Sequence, residues 1–168
     1  MRWVIIIVVG LLAVVALVAL IGLLIPRSHV ATRSRTFPHS SERVFTAISD
    51  VRNYAKWRPG VREVTLLSEN PLRWREDGSS GKIEFELTSS DPPRRQVVTI
   101  ASKDLPFGGR WEYDLAQDGS GTRLTLSEHG DVYNPIFRFM ARFVFGYSKT
   151  MEDYLGALDG YLGRQAGS

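Results

Sequence analysis

Hydrophobic and polar positions divide the chain sharply after residue 25. Residues 3–25 read WVIIIVVGLLAVVALVALIGLLI, 23 positions without a charged or strongly polar side chain. At about 1.5 Å of rise per residue such a helix reaches roughly 35 Å, enough to cross a hydrocarbon core of about 30 Å. A cleaved signal peptide has an apolar core of only about 7–15 residues and then a small-residue cleavage site. This run is longer, and Ile25-Pro26-Arg27-Ser28-His29 offers no such site. The pattern predicts an uncleaved transmembrane anchor over 1–26, with Trp3 at one interface and Pro26-Arg27 closing the other end.

Beyond the anchor the period changes. Residues 30–37 alternate small or apolar with polar side chains, as a half-exposed strand does. Ser40 or Ser41 is placed to cap a helix carrying Val44, Phe45 and Ile48 on one face, with Glu42 favouring its first turn. Asp50 starts a second short helix with Val51, Tyr54 and Trp57, closed by Pro59-Gly60. Strands are then predicted at 61–68, 72–76, 82–88, 96–102, 110–115 and 122–128. In the third of these Ile83, Phe85 and Leu87 face one way and Glu84 and Glu86 the other. Asp77-Gly78-Ser79-Ser80-Gly81, Asp91-Pro92-Pro93 and Asp118-Gly119-Ser120-Gly121 are turn signals. Gly108-Gly109 reads as a turn or loop. Asn134 and Pro135 open a final helix. Its apolar positions recur at Ile136, Met140, Phe143, Tyr147, Met151, Tyr154, Leu155, Leu158 and Leu162, with Gly146 as a point of bending. Residues 163–168 read as a tail. Runs of hairpin strands with segregated helices indicate an α+β domain over 27–168.

Composition narrows the function. Only Arg2 of the 21 basic residues lies in the anchor, leaving 20 against 18 acidic ones. Such balance argues against a dedicated nucleic-acid binder, which concentrates positive charge on one face. Cysteine is absent, which excludes disulfides and thiol chemistry but leaves the compartment open. Arg27, Arg33, Arg35 and Arg43 follow the anchor and only Arg2 and the amino terminus precede it. The positive-inside rule therefore places the single-pass domain on the cytoplasmic side.

The order of elements, with Ser41-Glu42-Arg43-Val44-Phe45, Tyr54-Ala55-Lys56-Trp57-Arg58-Pro59-Gly60-Val61 and Asn134-Pro135-Ile136-Phe137-Arg138-Phe139, resembles the START-like or SRPBCC superfamily, the polyketide cyclase/dehydrase type. The resemblance spans residues 29–163. It implies a helix-grip fold: a curved antiparallel sheet of about seven strands wrapped on a long C-terminal helix, with two short helices after the first strand. It further implies a deep apolar cavity between sheet and helix, taking a lipid or other small hydrophobic molecule. The transmembrane helix lies outside that pattern.

The residues suggest what would line such a cavity: Phe85, Trp111, Tyr113, Phe137 and Met140, with Trp57 and Trp74. The same side chains would equally fill a solid core, because binding pockets are themselves mostly apolar. Glu128 is the sharpest polar candidate. If Leu124 and Leu126 face inward, period two puts it on the same side, where a carboxyl is paired or holds its proton and can orient a ligand or act as a general acid or base. The alternative is a strand that ends before it, leaving it solvated or paired with arginine. His129 points outward by the same alternation. The histidines His29, His39 and His129 are scattered with no ligand spacing, and no nucleophile elbow or phosphate loop occurs, so neither metal nor cofactor is expected.

In IFRFMARFVFGY (136–147), Phe137, Phe139, Phe143 and Phe145 point in more directions than one buried stripe needs. With Arg138 and Arg142 one turn apart, this stretch could rest on lipid or a partner. Three functions stay open: a membrane-tethered binder of a hydrophobic ligand; a cyclase or dehydratase using Glu128, Tyr113 or Tyr133; and a tethered interaction scaffold.

Overall fold

The computed structural model describes residues 1–146 and 148–166. Helix α1 (Arg2–Leu24) is apolar on every side and its side chains are almost all exposed, as expected of a helix whose solvent is lipid rather than protein. Among the described residues it is the single helix long and apolar enough to cross a membrane. The chain then enters β1 (Ser28–Phe37), helix α2 (Ser41–Ser49) and a 3-10 helix (Val51–Lys56). Six strands follow in hairpin succession: β2 (Val61–Glu69), β3 (Leu72–Gly78), β4 (Gly81–Asp91), β5 (Arg95–Ile100), β6 (Phe107–Asp118) and β7 (Gly121–Val132).

They form one antiparallel seven-stranded sheet in the order β1-β7-β6-β5-β4-β3-β2, so α2 and the 3-10 helix carry the chain from one edge to the other. Register shifts within the β2–β3 and β4–β5 pairs help to curve the sheet, since a bulge bends its strand and raises the local twist. Ser40 caps α2 by accepting from the Arg43 N–H at 3.4 Å. The expected helix-grip α+β architecture is therefore present.

Three local expectations need correction. Gly108 and Gly109 are not a loop: they lie inside β6, opposite Asp131 and Gly130 of β7. A Cβ on Gly109 would sit 2.2 Å from the His129 carbonyl oxygen, so only glycine permits the strands to approach this closely. The tail is helical as far as Ala166. The final helix is also not continuous. It comprises α3 (Pro135–Met140), a π-helical turn (Ala141–Phe145) and α4 (Lys149–Ala166). At the break Gly146 adopts φ 72° and ψ 163°, a region that essentially only glycine occupies. Helical spacing continues on both sides of the break, which is why periodicity alone reads one helix. Tyr147 and the side chain of Phe145 lie outside the described residues.

Within the grip of the sheet α4 buries Met151, Tyr154, Leu155, Leu158 and Leu162. They meet Phe37, Val44, Ile48, Leu115, Leu124 and Leu126 in one core. Arg33 and Arg35 of β1 reach over to Glu152 and Asp159 of α4. The core lies toward the sheet edge formed by the end of β1, the β6–β7 hairpin and α2. The opposite edge is where α1 enters.

Candidate functional site: a cavity walled by aromatic side chains around a buried arginine

The sheet and the α3–α4 segment enclose a cavity of about 640 Å³. Binding pockets for small molecules span about 300–1,000 Å³, so this volume accommodates a ligand. The alternation of β4, β6 and β7 delivers Phe85, Trp111, Tyr113 and Glu128 to its wall, and α3 adds Phe137. These five were expected there. Trp57, Trp74 and Met140 do not line it. Trp57 is a core residue, stacked on Tyr161 at 5.7 Å and edge-on to Tyr154 at 5.1 Å. Trp74 is fully buried behind the wall, stacked on Phe85 at 5.7 Å. Phe137 of α3 and Ala141 at the start of the π-helical turn, one turn apart, line the cavity, and Met140 does not.

The most polar group inside is Arg58, just after the 3-10 helix. Its guanidinium carbon lies 5.2 Å from the Tyr54 ring centre, 5.5 Å from Phe85, 5.6 Å from Tyr154 and 5.7 Å from Trp111. One nitrogen donates to Glu76, and Trp74 Nε1 donates to the same carboxylate oxygen, the latter at 2.9 Å. Burial disfavours the charge on Arg58 and the Glu76 carboxylate opposes that; the net direction is upward, so the guanidinium stays protonated. A guanidinium has five N–H donors, and Glu76 engages one of them here, which leaves donor capacity facing the cavity.

Burial pushes the phenol of Tyr113 up to about 12 and those of Tyr54 and Tyr154 well above their ordinary value. These hydroxyls are donors near neutral pH and not bases. Tyr113 therefore faces the cavity as a hydrogen-bond donor. Tyr133 lies outside the cavity wall, exposed beside α1 with Arg27 over its ring at 5.2 Å, so the second tyrosine considered for catalysis is away from the interior.

Glu128 does face inward, in register with Leu124 and Leu126. It sits opposite Trp111 on β6 and Ala31 on β1, and its Oε1 is 3.5 Å from His29 Nε2. Desolvation by burial raises its pKa, and the neighbouring His29 and Trp111 oppose that rise only in part. A carboxyl so placed can exchange a proton with a ligand or hydrogen-bond to it. His129 faces the other way, 3.3 Å from Glu112 on the outer surface. Among the described residues no cluster of three histidine, aspartate or glutamate side chains is arranged to hold a metal.

Arg58, Glu76, His29 and Tyr154 are the site residues that sequence reasoning missed. Glu76 was within reach, because it stands two positions after Trp74 on a strand and must share its buried face. Arg58 stands in one of the motifs that carry the resemblance, but its burial could not be read locally, because its environment is assembled from the 3-10 helix, β3, β4, β6 and α4.

The geometry has counterparts. A START superfamily protein from Mycobacterium smegmatis superposes with TM-score 0.67 at 16% identity, over 82% of this chain and 99% of that one. A conserved protein from Geobacillus kaustophilus gives 0.69 at 17% identity, over 81% and 96%. The Zhui aromatase/cyclase from Streptomyces sp. R1128 gives 0.67 at 15% identity, over 83% and 96%. No curated protein matches the chain in sequence. At these identities the structural likenesses establish the fold. The sequence of residues 28–162 in turn matches the profile of one family along its whole grip-shaped domain, and on that match the chain belongs to the polyketide cyclase / dehydrase and lipid transport family.

Proposed function

We propose that this protein is a membrane-anchored binder of a lipid or other small hydrophobic molecule, held in the cavity between the sheet and the α3–α4 segment. The carrying observation is a hollow interior of about 640 Å³ walled largely by aromatic and aliphatic side chains. A tethered scaffold would have no use for that hollow. The anchor supports the reading physically, because tethering raises the effective concentration of the cavity near a lipid-soluble ligand. The basic residues after α1 favour a cytoplasmic domain. Residues 1–26 are the anchor and 27–168 the binding domain, with Phe85, Trp111, Tyr113, Phe137 and Glu128 as contacts and Arg58 as a polar anchor point. Native mass spectrometry of the full chain, released from detergent micelles, tests the reading. The expected result is a co-purifying apolar molecule that Ile83→Trp, a cavity-filling change, displaces. An empty cavity that takes up no lipid from mixed micelles overturns it.

A second reading is favoured by one observation, the Glu128–His29 pair on the cavity wall. It makes the protein a cyclase- or dehydratase-like enzyme on a hydrophobic or aromatic substrate, with Glu128 as the acid–base group. The likeness to the Zhui aromatase/cyclase is compatible with it.

A further inference from the structure

All seven strands present one set of ends on the same edge of the sheet. The start of β1 at Ser28 lies beside Asp131 near the end of β7, and Phe107 at the start of β6 lies beside Val132. Gly78 and Gly81 close the β3–β4 hairpin, with Val61 next to Gly78. Residues of this edge line the cavity: His29, Val61, Gly81, Phe107, Asp131 and Val132. It is also the edge at which the chain leaves α1. The cavity therefore opens on the anchor side of the domain, and the solid core closes the other side.

The anchor is not loosely strung there. Gly22 packs so tightly on Pro135 that a Cβ would come within 1.9 Å of the Pro135 carbonyl oxygen. The last turn of α1 has no basic residue of its own, and its C-terminal carbonyls need donors. Arg138 supplies them. Its buried guanidinium donates to Ile25 O at 3.1 Å and Gly22 O at 3.4 Å from α1, and to Val132 O and Tyr133 O, both at 3.0 Å, from the domain. Arg138 is thus a clamp between anchor and domain and is not free to meet headgroups, which corrects the pairing of Arg138 with Arg142 expected from their spacing.

The clamp fixes which surface lies beside the bilayer. After α1, the large apolar side chains that are exposed among the described residues are Val30, Leu67, Tyr133, Ile136, Phe137, Phe143 and Val144, and five of these seven lie between 133 and 144. Arg27 and Tyr133 form a cation–aromatic pair at the same level, a combination suited to the headgroup region. Phe137 is half exposed and also lines the cavity, so it stands at the mouth. We infer that the 133–144 segment is a foot resting in the bilayer interface beside the anchor, and that the cavity mouth opens directly onto the membrane. The hydrophobic occupant then passes between bilayer and cavity without crossing bulk water. The occupant of this surface is lipid, because the patch is continuous with the apolar surface of α1. This rests on the anchored reading of α1.

Absence of cysteine makes the test direct. Nitroxide labels are placed singly at Phe143→Cys, Val144→Cys, Val15→Cys and Leu67→Cys in the full chain in phospholipid nanodiscs. All four side chains are exposed, so each position has room for a label. Positions 143 and 144 are expected to show a ratio of dissolved-oxygen to nickel-chelate accessibility several-fold above that at 67, at a depth shallower than 15. If 143 and 144 match 67 while 15 reads as lipid, the foot is overturned and the anchor stands. If 143 and 144 are shielded from both reagents, a protein surface covers them and the inference is again overturned. If 15 itself reads as aqueous, the anchored reading fails and takes the foot with it.

Discussion

Glu128 converts burial into a pH dependence. Its folded-state pKa is raised above the ordinary 4.5, chiefly by desolvation. A carboxyl that binds its proton more tightly when folded contributes stability that is fully present below the ordinary value and is lost as pH rises through the raised one. Glu128→Gln cannot ionise and is nearly isosteric. Thermal unfolding of the two proteins between about pH 3.5 and 7 should therefore give similar Tm values at the acid end, with the variant increasingly the more stable as pH rises. Parallel curves would show that His29 compensates the carboxylate completely. The position of Glu128 was half legible in the sequence: alternation from Leu124 puts it inward only if the strand continues, and β7 does continue to Val132. Phe85, Trp111 and Tyr113 were legible too. Arg58 was not, for its surroundings come from strands and a helix far apart in the chain, and no local period reports them. Trp57 and Trp74 were read correctly as inward-facing but lie in the core and not on the cavity wall: an inward side chain, whether beside the 3-10 helix or on β3, can serve either, and only the packing of Tyr161 on Trp57 and of Phe85 on Trp74 separates the two.

The junction of α1 with α3 shows what element-level patterning carries and what it omits. The length and apolarity of α1 predicted a span, and Asn134-Pro135 predicted a helix start, whose cap forms as Asn134 accepts from the Ile136 and Phe137 N–H groups at 2.9 and 3.3 Å. That the two helices touch could not be read, since the contact depends on a glycine at one helical position and an arginine 116 residues away. The contact predicts a contrast between the two glycines of α1. Gly10 has open space where a Cβ would go, whereas at Gly22 the Pro135 backbone occupies it. Gly22→Ala must push α1 off α3 and strip the Arg138 clamp from its carbonyls. In detergent, trypsin is expected to cut after exposed Arg27 markedly faster in Gly22→Ala than in wild type, with Gly10→Ala unchanged. Equal cleavage of all three would mean that the helices do not hold each other. The break at Gly146 was only half legible: a glycine announces a weak point, but its positive φ is set by how the π-helical turn meets α4.

The domain is closely packed at one end and holds the cavity at the other, so side chains at the two ends differ in what their truncation costs. Phe37, Ile48, Leu124, Leu126, Leu158 and Leu162 are fully buried at the far end and hold sheet to helix. Ile83, Phe85 and Trp111 at the near end are only partly buried, because one side of each faces the cavity. Truncating a side chain in close packing costs the lost transfer energy and the void left behind, typically about 2–5 kcal/mol for leucine to alanine. Truncation where a void already exists adds little new cavity energy. Leu124→Ala is therefore expected to cost about 2–5 kcal/mol, and Ile83→Ala about 1 kcal/mol or less, in chemical denaturation of ligand-free protein. The order should narrow when a hydrophobic ligand is bound, because the occupant then supplies the contacts that Ile83 would lose, and a ligand selective for the folded state adds about 2.7 kcal/mol at a hundred times its Kd. Equal costs at the two positions in ligand-free protein would mean that the near end is packed like the far one, and that the space between sheet and helix has collapsed in solution.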